Sequence, residues 1–179
     1  MAGLFKRMLR HGWLDQADAR RLVGPAEAAR LREQVAASER LHTGQIRICI
    51  EGGLPLSYLW RHWRQRLSRA ELVRQRAVMM FAKLRVWDTE HNNGVLIYLL
   101  LAERAIELVA DRGLARIVGP DTWQAMTGRL EQCLRDGRVE QGLHDAIAEV
   151  SALLEQHFPR LPADAAPVVN ELPDEPVFR

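Results

Sequence analysis

Seven consecutive apolar residues, Val95 to Leu101, constrain the fold of this chain more than any other stretch. A strand that is apolar at every position suits the middle of a sheet covered on both faces, whereas a strand with one wet face alternates. The run is also far shorter than the roughly 20 residues a helix needs to cross a bilayer. Directly after it, Ala102-Glu103 leaves room for a turn. Arg104 to Ala110 then alternates, with Ile106 and Leu108 on one face and Glu107 and Val109 on the other. Two strands so spaced predict an antiparallel hairpin, although the turn lacks the favoured Asn-Gly chemistry.

The remaining elements are built around that hairpin. Residues 1–23 mix Lys and Arg with Leu4, Phe5, Met8, Leu9, Trp13 and Leu14, a spacing that predicts a short amphipathic helix packed on the domain, with a surface anchor as the alternative. Gly24-Pro25 opens a second helix, with proline at the first helical position, where its missing N–H is no loss. Its face continues through Leu31, Val35 and Ser38 and ends near His42-Thr43-Gly44. Gln45 to Glu51 places Ile46, Ile48 and Ile50 on one side and Gln45, Arg47 and Cys49 on the other, which predicts a strand. Gly52-Gly53-Leu54-Pro55 breaks it, and an irregular segment is expected from there to Ser68.

Ser68 and Glu71 have the spacing of a reciprocal helix cap. The helix they open carries a stripe of Val73, Ala77, Met80, Leu84 and Trp87. Two more helices are predicted over Pro120–Arg135 and Val139–His157. The expected fold class is therefore α/β: a short mixed β-sheet of three to four strands flanked by α-helices, with an N-terminal helical arm. The expected division is an arm over 1–42, an α/β domain over 43–158, and a disordered, Pro-rich acidic tail over 159–179.

A chain of 179 residues holds one full-sized core and no more. Lys and Arg number 25 against 23 Asp and Glu, too even a balance for a broad nucleic-acid footprint. Cys49 and Cys133 read as reduced, packed thiols. The first residues lack the apolar core and cleavage site of a signal peptide. No transmembrane segment is expected, and the expected location is cytoplasmic.

An antiparallel hairpin sets the start of its first strand beside the end of its second, so Asn92 and Asn93 should approach Asp111. The loop Asp88-Thr89-Glu90-His91 belongs to the same edge, and the helix opening at Pro120 could bring Asp121 there. Carboxylate and amide oxygens at one irregular site are what calcium or magnesium takes, so Asp88, Glu90, Asn93, Asp111 and Asp121 are the candidate metal ligands. Each also has a plain structural use: Asp88 can end a helix, Asn93-Gly94 can turn the chain, and Asp121 suits a helix N-terminus.

Several of these residues also carry a family resemblance. Trp87, Asn92-Asn93-Gly94-Val95-Leu96, the aliphatic run, the charged alternating strand, Asp111-Arg112-Gly113-Leu114 and Asp121 follow in the order seen in TPM domains. The stretch from about Thr43 to Phe158 resembles that family, in particular its shorter bacterial members without a membrane anchor. Asn92 stands where the family usually has Asp, and Asp111 where many relatives have Gly. The resemblance implies a sheet flanked by helices. Some relatives resemble divalent-cation binders, and a plant member is described as an acid phosphatase.

For phosphoryl transfer the chain offers Arg104, Arg112 and Arg116, but no Gly-rich phosphate loop and no H-x-x-H or H-E-x-x-H zinc motif. The segment from Ser57 to Arg76 interleaves aromatic residues with arginine. Trp60, Trp63 and Arg64 are its candidate partner contacts, because Trp and Arg dominate interface hot spots. Interleaved aromatics and arginines also suit nucleic acid, but acids elsewhere cancel the net field. The plainer expectation is that the tryptophans pack while the arginines form a solvated face; contact with a protein partner or a second copy is the third use. The function expected is a cytoplasmic interaction module with a divalent cation at the polar edge. The alternative is a metal-dependent, acid phosphatase-like hydrolase.

Overall fold

The computed structural model describes His11, residues 16–160 and residues 170–179. His11 apart, the first part of the expected N-terminal helix lies outside the described residues, as do the stretch 161–169 and the side chains of Arg61 and His62. In chain order the elements are α1 Gln16–Leu22, α2 Pro25–Ser38, β1 Gln45–Glu51, α3 Leu56–Gln65, α4 Arg69–Lys83, β2 Gly94–Leu100, β3 Ala105–Ala110, α5 Arg112–Ala115, α6 Pro120–Arg135, α7 Val139–His157 and β4 Val177–Phe178.

The sheet runs β3-β2-β1-β4. Strands β1 and β2 are parallel, with Ile48 beside Ile97. Strands β2 and β3 are antiparallel, with Ile97 facing Leu108. A 3-10 turn over Leu101–Glu103 joins them, closed by Arg104 in the left-handed region at φ 48°. The hairpin expected from the sequence is therefore present. So is the all-apolar central strand: every residue of β2 is buried.

Two apolar layers cover the sheet. Ile46, Ile48, Ile50, Val95, Ile97 and Leu99 meet Leu31, Leu130, Ile147 and Leu154 of the helices on one face. Cys49, Leu96, Tyr98 and Leu100 meet Leu59, Leu72, Ala77 and Met80 on the other. Ala19 and Val23 belong to the first layer, so the described part of the expected arm packs into the domain and does not stand off from it. Cys49 is buried and Cys133 half-buried, both as free thiols. Burial, then the nearby Glu51 carboxylate, pushes the Cys49 thiol up to about 12.

Three expectations need correction. The segment after Pro55 is not irregular but forms helix α3. Trp87 is not on the buried stripe of α4: the helix stops at Lys83, Arg85 turns the chain through φ 56°, and Trp87 is 46% exposed. The expected disordered tail is ordered over 170–179, where β4 pairs in parallel with Cys49 and Ile50 of β1. Arg47 donates to the carbonyls of Pro173 and Glu175, and Gln45 Oε1 accepts from the amides of Glu171 and Leu172. A strand flank left bare by the hairpin order is thus covered by this segment.

Candidate functional site

The starts of β1 and β2 and the end of β3 lie at one end of the sheet, and the polar residues of the expected site are distributed around that rim. Asp111 faces Gly94 across the hairpin, its amide donating to the Gly94 carbonyl at 2.8 Å. Asn93 therefore sits diagonally beside Asp111 in the backbone. Successive side chains of a strand leave opposite faces, however. Asn93 follows the Val95 face and reaches Thr43, its Nδ2 donating to Thr43 Oγ1 at 3.2 Å. Asp111 follows the Val109 face, where its Oδ1 accepts from the Arg112 amide at 2.7 Å and caps α5.

The other candidate ligands stand apart from these two. Asp88 is half-exposed and paired with Arg85. The Glu90 side chain is exposed, while its amide donates to Glu171 Oε2 at 2.9 Å. Asp121 is exposed in the first turn of α6. Among the described residues no three His, Cys, Asp or Glu side chains come close enough to hold a metal ion. The expected five-residue cluster does not form: the pleat of the hairpin parts the side chains of Asn93 and Asp111, while Asp88, Glu90 and Asp121 lie outside the hairpin.

Two buried oxygens at the rim, Asn93 Oδ1 and Asp111 Oδ2, lack a hydrogen-bond partner among the described residues. Their residues are only 1% and 6% exposed. A buried carboxylate oxygen with no donor is costly, and an ion or ordered water is the usual relief. Arg112 lies over the Asp111 side of the rim, its Nη2 donating to Asn92 Oδ1 at 2.9 Å. Asn92 itself adopts φ 53°, and its carbonyl accepts from the Gly113 amide at 2.8 Å.

Thr43, Glu171 and the contact of Arg112 with Asn92 join the rim without a motif that announces them. Thr43 merely precedes a strand. Glu171 lies in a stretch whose composition suggests disorder, although the apolar pair Val177-Phe178 a few residues on is a signal of pairing.

Two titratable groups lie between α2 and β1 at the same rim. Burial, with added repulsion from Asp174 and Glu171 and partial relief from the Ile46 amide, pushes the Glu39 carboxyl up to about 8. Burial holds the His42 ring down to about 4, against its hydrogen bond to the Gly44 carbonyl. The folded state thus holds the Glu39 proton more tightly than the unfolded chain does. Stability from this group is full below about pH 4.5 and is lost as pH rises through 8. His42 acts oppositely, with stability lost as pH falls from 6.5 towards 4. Glu39→Gln keeps the oxygen that accepts from Ile46. It should make the domain roughly 2 kcal/mol more stable at pH 8 and flatten the alkaline limb of a urea-unfolding series.

Helix α3 carries the candidate partner contacts. Leu59 is buried in the second apolar layer, and the Tyr58 ring lies 4.8 Å from the Arg76 guanidinium. On the outer side Trp60 and Trp63 are 58% and 52% exposed, with ring centres 5.1 Å apart. Arg64 is exposed beside them. Two clefts lie elsewhere. One of about 530 Å³ runs between Arg74, Leu108 and Trp123, and one of about 540 Å³ lies between Leu22, Leu101 and Leu134; neither is lined by Asp88, Asn93 or Asp111.

The model of the TPM domain family matches residues 17–153. Among solved structures, protein BA42 from the psychrophilic bacterium Bizionia argentinensis superposes with a TM-score of 0.69, at 23% identity, over 87% of this chain and 94% of that one. At that identity the likeness speaks to the fold. The N-terminal domain of a protein from P. gingivalis matches with a TM-score of 0.47 at 17% identity, over 83% of this chain and 94% of that one. No curated protein matches. With three quarters of its length matched, from α1 into α7, the chain belongs to the TPM domain family.

Proposed function

We propose that this chain is an interaction module of the TPM family that meets its partner through the outer side of α3. The observation that carries the reading is the pair of exposed, mutually leaning tryptophans on a helix already anchored by Leu59 and Tyr58. Large aromatic side chains are normally removed from water, and Trp with Arg is the composition of contact hot spots. A photo-crosslinking residue at position 63 should give adducts in the producing cell, whereas the same residue at position 41 should not. Leu41 is a fair control because it is 52% exposed on a different part of the surface. Equal labelling at both positions, or none at 63, removes the support for this reading.

A second reading, favoured by the unpartnered Asp111 Oδ2, is that the rim takes a divalent cation. Calorimetric titration should then show magnesium binding that Asp111→Asn abolishes, since the amide keeps the shape and loses the charge. Heat from the native chain that the variant reproduces would end the cation reading. The same samples test the hydrolase alternative: turnover of a phosphomonoester with magnesium, lost in Asp111→Asn, would establish it, and binding without turnover favours the module.

A further inference from the structure

The sheet has one flank that no strand among the described residues pairs with. Strand β4 covers β1 at one end of the order, but β3 lies at the other end and has a neighbour on its β2 side only. The Asp111 amide, bonded to the Gly94 carbonyl, sets the phase of the hairpin. Glu107 and Val109 therefore exchange hydrogen bonds with β2, while Ile106, Leu108 and Ala110 turn their amides and carbonyls outward. Among the described residues the Leu108 carbonyl alone of these groups has a partner. Arg74 Nη1 donates to it at 2.8 Å, standing where the amide of a neighbouring strand would.

The cleft of about 530 Å³ lies along this flank, with Leu108 and Ala110 on one wall and Trp123, Gly128 and Glu131 of α6 on the other. Gly128 sits in the middle of α6, where glycine costs helix stability relative to alanine. A Cβ there would meet nothing within 4 Å, so packing within the described domain does not call for glycine. Bare backbone beside a cleft is what the close approach of another chain needs. Arg74 is the one cation of the lining, against Glu107 and Glu131. Arg74 pairs with Glu107 at 2.8 Å, whereas Glu131 has a long surface contact of 3.4 Å with Arg135. Such a surface pair is worth little, so the α6 wall stays acidic.

We infer that this cleft takes an extended segment of a partner protein, which adds as a strand to β3 and sets a Lys or Arg beside Glu131. An extended backbone is the ligand whose donors and acceptors repeat at the spacing of those on β3, and its alternate side chains would enter the cleft. The inference stands apart from the α3 reading and uses none of its residues. A second copy suits the flank less well. Ile106 and Leu108 are 2% and 4% exposed, so the flank is set back between α4 and α6, and two such recessed flanks would meet through their helices first.

The test pans the full chain against a phage-displayed library of random decapeptides, then titrates the enriched peptides, made synthetically, into isotope-labelled protein by NMR. Enriched peptides should carry a Lys or Arg among alternating apolar residues and shift the amide signals of Ile106, Leu108 and Ala110. Methylating alternate peptide nitrogens should cost them at least about tenfold in affinity. Gly128→Leu should also lose at least about tenfold while its thermal unfolding stays at or above native, since leucine is the better helix former and its side chain fills the cleft. Glu131→Lys should weaken basic peptides by at least about tenfold through like charge. Trp60→Ala/Trp63→Ala should bind them as the native chain does, which separates this site from the α3 reading. No enriched peptide, or peptides that Gly128→Leu binds as tightly as the native chain, overturns the inference. So do peptides lost in the tryptophan variant, which belong to α3. A dimer of the native chain that Gly128→Leu dissociates, with no peptide bound, likewise overturns it and assigns the flank to a second copy.

Discussion

Arg76→Leu should destabilise the domain by about 3–5 kcal/mol in urea unfolding, the usual effect of leaving one member of a buried ion pair alone. Glu51, at the end of β1, is 3% exposed and Arg76, on α4, is 6% exposed. Arg76 Nε donates to Glu51 Oε2 at 2.8 Å, its Nη2 donates to Oε1, and the Tyr98 hydroxyl donates to Oε2 at 2.5 Å. Burial works against the charge on Arg76, but the hydrogen bonds and charge of Glu51 outweigh it and raise the guanidinium above its usual value. Burial, and then the same carboxylate, raises the Tyr98 phenol well above its usual range. Removing Arg76 leaves that carboxylate in an apolar layer with one neutral donor. Glu51→Leu combined with Arg76→Leu should recover much of the loss, because paired apolar side chains of similar size often replace a buried ion pair without penalty. A double variant no more stable than Arg76→Leu would show that the damage is lost packing around α4 and not an orphaned charge.

Gly94→Ala should destabilise the domain by about 3 kcal/mol or more, at the upper end of overpacking effects. A Cβ built at Gly94 would stand 2.0 Å from the Val86 carbonyl oxygen, so the obstruction is backbone and cannot rotate away. This is the physical reason for the glycine in Asn92-Asn93-Gly94-Val95-Leu96: the loop leaving α4 crosses directly over the first residue of β2. Gly128→Ala is the matched control. A Cβ there meets nothing within 4 Å on α6, and the change should stabilise by roughly 0.5–1 kcal/mol through helix propensity. Thermal unfolding of the two variants side by side reads both signs, and a Gly94→Ala protein as stable as the native chain would refute the close crossing.

Much of the fold is legible in the sequence because local signals and burial agree. The seven-residue apolar run belongs in the centre of a sheet, and Ser68 with Glu71 does form the reciprocal cap: Ser68 Oγ accepts from the Glu71 amide, and Glu71 Oε2 accepts from the Ser68 amide. Helix α3 is harder to foresee, although Leu56, Leu59, Trp60 and Trp63 have helical spacing. It follows a Gly-Gly-Leu-Pro break, and its apolar residues form no buried stripe: Leu59 alone of the four is buried, so the larger apolar side of the helix faces solvent. The polar rim is legible as a place and not as a cluster. The order of strands brings Asn93 and Asp111 to one end, but a spacing rule counts residues along the chain and not the side of the pleat from which each departs.

The pairing of β4 with β1 has a consequence for how the domain comes into being. Residues 177–178 are made after all of the other strands and helices described, and until they emerge from the ribosome the outer flank of β1 has open amides and carbonyls beside a row of isoleucines. A nascent chain in that condition can be zipped up by its neighbour on a crowded polysome as readily as by its own later residues. The short parallel pairing, tied down through Arg47 and Gln45, thus closes this flank of the sheet last.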